Sequence, residues 1–169
     1  GSNSGYIPVG GVVISDEVAD TFRDKVFPGG LTYSGHPIAA ASIVASIDAM
    51  KEEGIVENAA SIGRDVLAPG LAELAEKHPV IGDVRGLGVF WALDLVKDRA
   101  TREPLAPYGG TSAAMGQLVS ECRARGLMPF TNFNRLHVVP PCTVTVDEAK
   151  AGLTILDEVF SVIDAHYEG

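Results

Sequence analysis

The chain has 169 residues, 46% of them hydrophobic and 21% charged, a balance that supports a buried core and excludes disorder by composition. Its net charge is −9 and its 13 Lys and Arg residues are scattered, which excludes the concentrated basic face that a nucleic-acid partner requires. No apolar stretch approaches the roughly 20 residues that cross a bilayer, and no basic-then-apolar leader opens the sequence. Cys122 and Cys142 are too few for a disulfide framework or a zinc pattern; they fit a reducing cytoplasm, with a bridge between them left open.

In chain order, Tyr6 to Ile14 is apolar and β-branched towards its end, and predicts a strand. Ser15 then caps a short helix with Asp16 and Glu17 in its first turn, where the helix dipole favours negative charge. Residues 26–36 hold three glycines and a proline and predict a loop. Pro37 opens a helix at the position where a missing N–H does no harm. Ile43, Val44, Ile47 and Met50 form one stripe on it, and Gly54 ends it. A long helical pattern covers Ile55 to His78, to be kinked or divided at Pro69-Gly70.

Val89 to Val96 is nearly all apolar and predicts a buried strand. Asp98 to Thr111 predicts a surface loop. Ser112 to Arg125 is helical and ends at Gly126. Leu127 to Thr131 and Arg135 to Val139 predict short strands joined by a tight Asn-Phe-Asn turn. Thr145 and Glu148 form a capping box that starts a last helix, with Ala149, Leu153, Leu156, Phe160 and Ile163 spaced three and four apart. The expected class is α+β: a mainly antiparallel sheet with helices on one face, over residues 55–169, preceded by residues 1–54 as a remnant of something larger.

Three stretches carry chemistry. In Leu31-Thr32-Tyr33-Ser34-Gly35-His36-Pro37 a hydroxyl and a glycine turn sit just before a helix start, which serves either as an anion cradle or simply as a loop and cap. Arg85, in Arg85-Gly86-Leu87-Gly88, either binds a carboxylate or anchors a turn at a strand start, the simpler role. Trp91, in an apolar strand, reads as core rather than as a stacking surface. Arg135, in Arg135-Leu136-His137-Val138-Val139-Pro140-Pro141, either holds a carboxylate bidentately or is a solvated hairpin residue. His36, His78, His137 and His166 have no metal-ligand spacing, and His78 reads as a helix-end histidine. Lys25, Lys51, Lys77, Lys97 and Lys150 all stand in polar, helix-end or loop contexts that do not favour Schiff-base work.

These motifs, with Asn3-Ser4-Gly5-Tyr6-Ile7-Pro8-Val9-Gly10-Gly11 at the start, resemble the class III aminotransferases, pyridoxal-phosphate enzymes of fold type I. The resemblance runs from Asn3 to Tyr167 and corresponds to roughly the last two-fifths of such an enzyme. It implies that residues 1–54 are a remnant of the large cofactor-binding domain and that residues 55–169 are the C-terminal small domain. The family's Lys-Gly pair belongs at or just before residue 1, where Gly1-Ser2 stands as a cloning scar or a partial replacement. The resemblance further implies that Thr32 reaches a cofactor phosphate across a homodimer interface with Tyr33 beside it. Tyr6 to Pro8 would form a wall near the cofactor and substrate, with Arg135 holding a substrate carboxylate. Phe130 and His137 occupy the positions where several subfamilies carry that arginine.

The implied parent moves an amino group from an amine or ω-amino acid to a keto acid such as pyruvate. The lysine, the aspartate under the cofactor ring and the aromatic residue covering it are all absent. The chain alone is therefore expected to be inactive, with weak or no cofactor binding. An aminomutase parent, or a non-catalytic folding or dimerisation module, are the alternatives.

Overall fold

The computed structural model describes residues 5–169; Gly1 to Ser4, and with them the opening of the first motif, lie outside the described residues. The chain divides into two compact units, Gly1–Gly54 and Ile55–Gly169.

In the first unit Ser15 caps α1 (Asp16–Asp20), its hydroxyl accepting from the Val18 N–H at 3.4 Å. The strand expected over Tyr6 to Ile14 does not form: the segment is irregular, and Tyr6, Val12, Val13 and Ile14 are exposed. A strand needs a neighbour to complete its ladder, and the described residues of this unit contain no other strand; Gly10-Gly11 further weakens any extended preference. Residues 26–36 are a loop, as expected. Pro37 stands at the first position of α2 (Pro37–Glu52), and Gly54 follows it in the left-handed region at φ +60°. The apolar stripe of α2 is present but faces little: Ile43 is half-buried, Val44, Ile47 and Met50 are exposed, and Ala39 alone among the unit's described residues is buried.

The second unit has the expected α+β architecture. Its long helical stretch is three pieces: α3 (Ile55–Ile62), a π-helical turn (Gly63–Leu67) and α4 (Ala68–Lys77). The break precedes Pro69, which sits in the first turn of α4 where its missing N–H costs nothing. Its position is set by packing. A Cβ on Gly63 would meet the Gly88 carbonyl oxygen at 2.2 Å, so the helix passes directly over the turn of the following hairpin.

That hairpin joins β1 (Ile81–Leu87) to β2 (Phe90–Asp98), with Leu87 opposite Phe90 and Gly88 at φ +57° in the two-residue turn. The apolar run predicts β2 but not β1, whose Gly82, Asp83, Arg85 and Gly86 have little strand preference of their own. Arg85 therefore lies inside a strand rather than at a turn. Trp91 is half-buried against the core, lies over Gly86 and donates from Nε1 to the Gly88 carbonyl at 2.7 Å.

The segment expected to be loop over Asp98 to Thr111 contains β3 (Glu103–Pro104), paired with the end of β2, and it buries Leu105 and Ala106. Ser112 caps α5 (Ala113–Ala124), and Gly126 follows at φ +83°. β4 (Phe130–Asn132) and β5 (Arg135–Val138) form the second hairpin, turning through Phe133 at φ +55°. The capping box of Thr145 and Glu148 opens α6 (Val146–Ile163): the carboxylate accepts from the Thr145 N–H at 2.9 Å, and the hydroxyl accepts from the Glu148 N–H at 3.2 Å. These bonds, the Thr145 backbone first, hold the Glu148 carboxyl below its usual range.

All pairings are antiparallel, in the order β1-β2-β5-β4 with β3 on β2. Side chains alternate between faces. Leu93, Leu95 and Leu136 point into one core with Leu67, Leu71, Leu118, Leu156 and Phe160 from the helices, leaving the other face of the sheet open.

His78 follows α4 and is more than a helix-end residue: it is buried, 1% exposed, against Phe160. Its Nδ1 lies 2.7 Å from Asp164 and its Nε2 2.8 Å from Asp157, which also holds Lys77 at 2.6 Å. The Arg99 guanidinium ties down the carbonyls of His78 at 2.8 Å, Ile81 at 3.1 Å and Ala75. The end of α4 is thus fastened to the end of α6 by a polar cluster whose members satisfy one another.

Two predictions follow from packing and charge. Gly63→Ala lowers the thermal midpoint, because the Gly88 backbone cannot yield. Gly116→Ala in α5, with nothing within 4 Å of the new methyl, raises stability by up to about 1 kcal/mol. A thermal melt that shifts both variants the same way contradicts this account. For the polar cluster, Lys77 foremost and then His78 hold the Asp157 carboxyl below its usual 3.8. A depressed acid contributes stability that is present above the unfolded-state value and lost as pH falls through the folded-state one. Asp157→Asn therefore destabilises at pH 7, and its gap to wild type in denaturant unfolding closes below about pH 4.

Candidate functional site

On the open face of the sheet, register places Leu87, Arg85 and Asp83 of β1 beside Phe90, Ala92 and Asp94 of β2. His137 and Arg135 of β5 follow, then Phe130 and Asn132 of β4. The face has two halves. One is aromatic: His137 lies 6.2 Å from Phe90 and 5.1 Å from Phe130 between ring centroids, and Leu87, Phe90 and Phe130 are exposed. The other is charged: the Arg85 guanidinium bonds Asp94, and its Nε stands 3.3 Å from Asp83. Arg135 lies directly opposite Asp94, half-buried, and makes no ion pair among the described residues. An unpaired guanidinium next to exposed aromatic surface is equipped to take a carboxylate in a fork of two N–H bonds. His137 Nδ1 is buried and has no hydrogen-bond partner among the described residues.

The residues expected at the cofactor lie in the first unit. Thr32 and Tyr33 sit in a turn closed by Ser34 N–H to Leu31 O at 3.0 Å and His36 N–H to Tyr33 O at 3.2 Å, with Gly35 at φ +69°. Both side chains are exposed, and the Tyr33 ring lies 5.9 Å from that of His36. Tyr33 lines a cavity of about 670 Å³ with Pro8, Leu31, His36, Ala39 and Ile43; Thr32 and Tyr6 are not among its walls, and Tyr6 is 84% exposed. His36 Nδ1 is buried and has no partner among the described residues, and His36 offers no side-chain cap to α2.

For an anion, this loop provides the Thr32 hydroxyl and the helix end, but Pro37 removes one of the free N–H donors there. The fit is to part of a phosphate site, one hydroxyl and a helix start, rather than to a full cradle. Among the described residues no cluster of His, Cys, Asp or Glu is fit to hold a metal ion, and no helix is long and apolar enough to cross a membrane.

Two of the lysines are engaged with carboxylates. Lys77 contacts both oxygens of Asp157, and Lys97 stands 3.2 Å from Glu103 and 3.8 Å from Glu168. Glu103 first, then Glu168, hold the Lys97 ammonium above its usual value, the opposite of what an amine needs in order to attack a carbonyl.

The sequence marks Arg135, Arg85, Phe130 and His137 one by one but not their meeting on one face. The signal was the period-2 spacing of Asp83, Arg85 and Leu87, which becomes readable only once β1 is recognised as a strand.

The second unit is thus an antiparallel α+β unit with helices on one face and an arginine-bearing open face. The model of the family described as aminotransferase class-III matches residues 2–160, and the chain belongs to that family. The putrescine–pyruvate aminotransferase of Pseudomonas aeruginosa is 36% identical over 157 residues, covering 92% of this chain and 33% of that protein. The 5-aminovalerate aminotransferase of Pseudomonas putida is 36% identical over 167 residues, 96% of this chain and 36% of that one. Among solved structures, a taurine:2-oxoglutarate aminotransferase from Bifidobacterium kashiwanohense, in complex with PLP and glutamate, matches with a TM-score of 0.91 at 34% identity, over 99% of this chain and 37% of the other. The chain spans about a third of the length of the curated relatives it matches.

The two thiols are both free and differ in character. Cys142 is exposed; Cys122 is buried in α5, and burial pushes its thiol up to about 11. An aromatic disulfide reagent at pH 8 is expected to titrate one thiol in the folded chain and two after denaturation. Two fast thiols in the folded state contradict the packing of α5.

Proposed function

We propose that the chain is the C-terminal portion of a pyridoxal-phosphate-dependent transaminase that moves an amino group from an amine or ω-amino acid to a keto acid such as pyruvate. In this reading residues 1–54 belong to the large cofactor-binding domain and residues 55–169 are the small domain. The observation that carries it is the unpaired Arg135 guanidinium on an open, partly aromatic sheet face, in a chain of the class III family. The names of the relatives, which include putrescine–pyruvate and 5-aminovalerate aminotransferases, support the amine and ω-amino acid as donor class.

Pyridoxal phosphate, when bound, supplies the carbonyl that takes the amine nitrogen and the electron-poor ring that accepts the electron pair of the broken C–H bond. This chain's residues bind and orient. The Thr32 hydroxyl donates to a phosphate oxygen, and Tyr33 and the Tyr6–Pro8 segment wall the approach. Arg135 fixes a substrate carboxylate through two parallel N–H bonds, and Phe130, diagonal to it across the β4–β5 pair, displaces water around it, which strengthens those bonds. None of the chain's own lysines serves as the cofactor's amine, so the isolated chain does not transaminate. Association into a homodimer belongs to the same reading: Val12, Val13, Val26, Ile38 and Val44 are exposed on the first unit. The free thiols fit a cytoplasmic location.

In an active enzyme that carries this chain, Thr32→Ala raises the dissociation constant for pyridoxal phosphate about tenfold or more, as loss of a hydrogen bond to a charged group does. Arg135→Leu raises KM for an ω-amino acid but leaves KM for a diamine, which has no carboxylate, near wild type. Equal effects on the two donors in steady-state assays would remove Arg135 from substrate recognition. Alanine formed from pyruvate by the isolated chain would overturn its inactivity.

A further inference from the structure

The charged half of the open sheet face contains an arrangement that simple pairing rules do not produce. Directly opposite residues of an antiparallel pair have their Cβ atoms roughly 5 Å apart, and diagonal ones are roughly 7–8 Å apart. Asp94 is directly opposite Arg135 on one side and Asp83 on the other. The nearest cation in register is therefore Arg135. Yet the carboxylate of Asp94 is taken by Arg85, which is diagonal to it, being opposite Ala92. The reason is on the other neighbour. Asp83 and Asp94 are like charges face to face across the strands, a destabilising pair, and Arg85 bridges both, with Nε 3.3 Å from Asp83 and its terminal nitrogen on Asp94. Arg85 thereby turns the Asp94 carboxylate toward β1 and leaves Arg135 without an ion-pair partner among the described residues.

We infer that Arg85 is a positioning residue: by occupying Asp94 it keeps the Arg135 guanidinium available for an external carboxylate. The inference rests on the proposed role of Arg135 but makes a separate claim, that the availability of Arg135 is set by a competing arginine on another strand. It also gives Arg85 a role in the sheet that neither a turn anchor nor a direct substrate contact supplies.

The test reads guanidinium availability directly. The chain is treated with phenylglyoxal, which modifies free arginines, and the rate at Arg135 is followed by peptide mass spectrometry. In Arg85→Met, Asp94 swings to Arg135, and the rate at Arg135 falls up to about fivefold, the factor set by an exposed ion pair. The double variant Arg85→Met with Asp94→Asn recovers the wild-type rate, and Arg85→Lys, which keeps a cation between the two aspartates, stays close to it. A merely structural role for Arg85 would not be rescued by removing the charge of Asp94. An unchanged rate in Arg85→Met, or a slow rate that persists in the double variant, overturns the inference.

Should Arg85→Met fail to fold by circular dichroism, Asp94→Asn alone decides. A rate at Arg135 equal to wild type supports the arrangement, and a rise of severalfold shows that Asp94 was already on Arg135 and refutes it. The carboxylate role of Arg135 is read separately, from whether glutarate slows its modification in the wild-type chain. Failure of that protection sinks the substrate reading, whereas the variant rates alone sink this one.

Discussion

The second unit depends on the double pairing of β2. β1 bonds to one edge of this strand and β5 to the other, and a single alternation along it assigns every side chain of the sheet to a face. Leu93 and Leu95 draw the helices onto one side, while Phe90, Ala92 and Asp94 set the three rows of the other. A slip of one residue would carry the aromatic and charged rows into the core and the leucines into solvent. The cost of burying Asp94 unpaired excludes that register as firmly as the gain from burying leucines selects the native one.

What could be read ahead of the structure follows from how local each signal is. The capping box of Thr145 and Glu148, the serine caps at Ser15 and Ser112, the proline start of α2 and the glycine stops at Gly54 and Gly126 are written within one turn of chain, and each stands where expected. β2 announced itself by an unbroken apolar run. β1 did not, because its glycines and charges make a strand only when β2 lies beside it. Pro69-Gly70 marks a break between α3 and α4 by a local effect, but its place is decided by Gly63 meeting Gly88, a contact between segments some two dozen residues apart. The error over Tyr6 to Ile14 runs the other way: the apolar pattern was genuine, but the described part of its unit offers no strand to pair with.

The candidate site shows the same division. Thr32, Tyr33 and Arg135 are candidates on their motifs alone, since the residue types themselves carry the signal. The company Arg135 keeps is a matter of register. Asp94 faces it, Arg85 competes for Asp94, and the row of His137 and Phe130 lies next to it, with Phe90 one row further on. These residues run from Arg85 to His137 and meet only through two hairpins. The first unit, with its exposed stripe on α2 and its wide cavity beside Tyr33, has chemistry that its motifs announce more clearly than its own packing does.

The contact between Gly63 and the turn at Gly88 has a consequence for how this unit can change over time. The helix backbone lies against the turn with no room for one methyl group, so that hairpin cannot lengthen without unseating the helix above it. Insertions are confined to other connections, such as the turned segment between β3 and α5, where Tyr108 is exposed and nothing lies within 4 Å of a side chain at Gly109. Gly63 cannot acquire a side chain while the Gly88 backbone stays in place, and Gly88 is held to glycine by its own left-handed backbone at φ +57°. Among relatives of this chain the length of the first hairpin should hold constant while that second connection drifts.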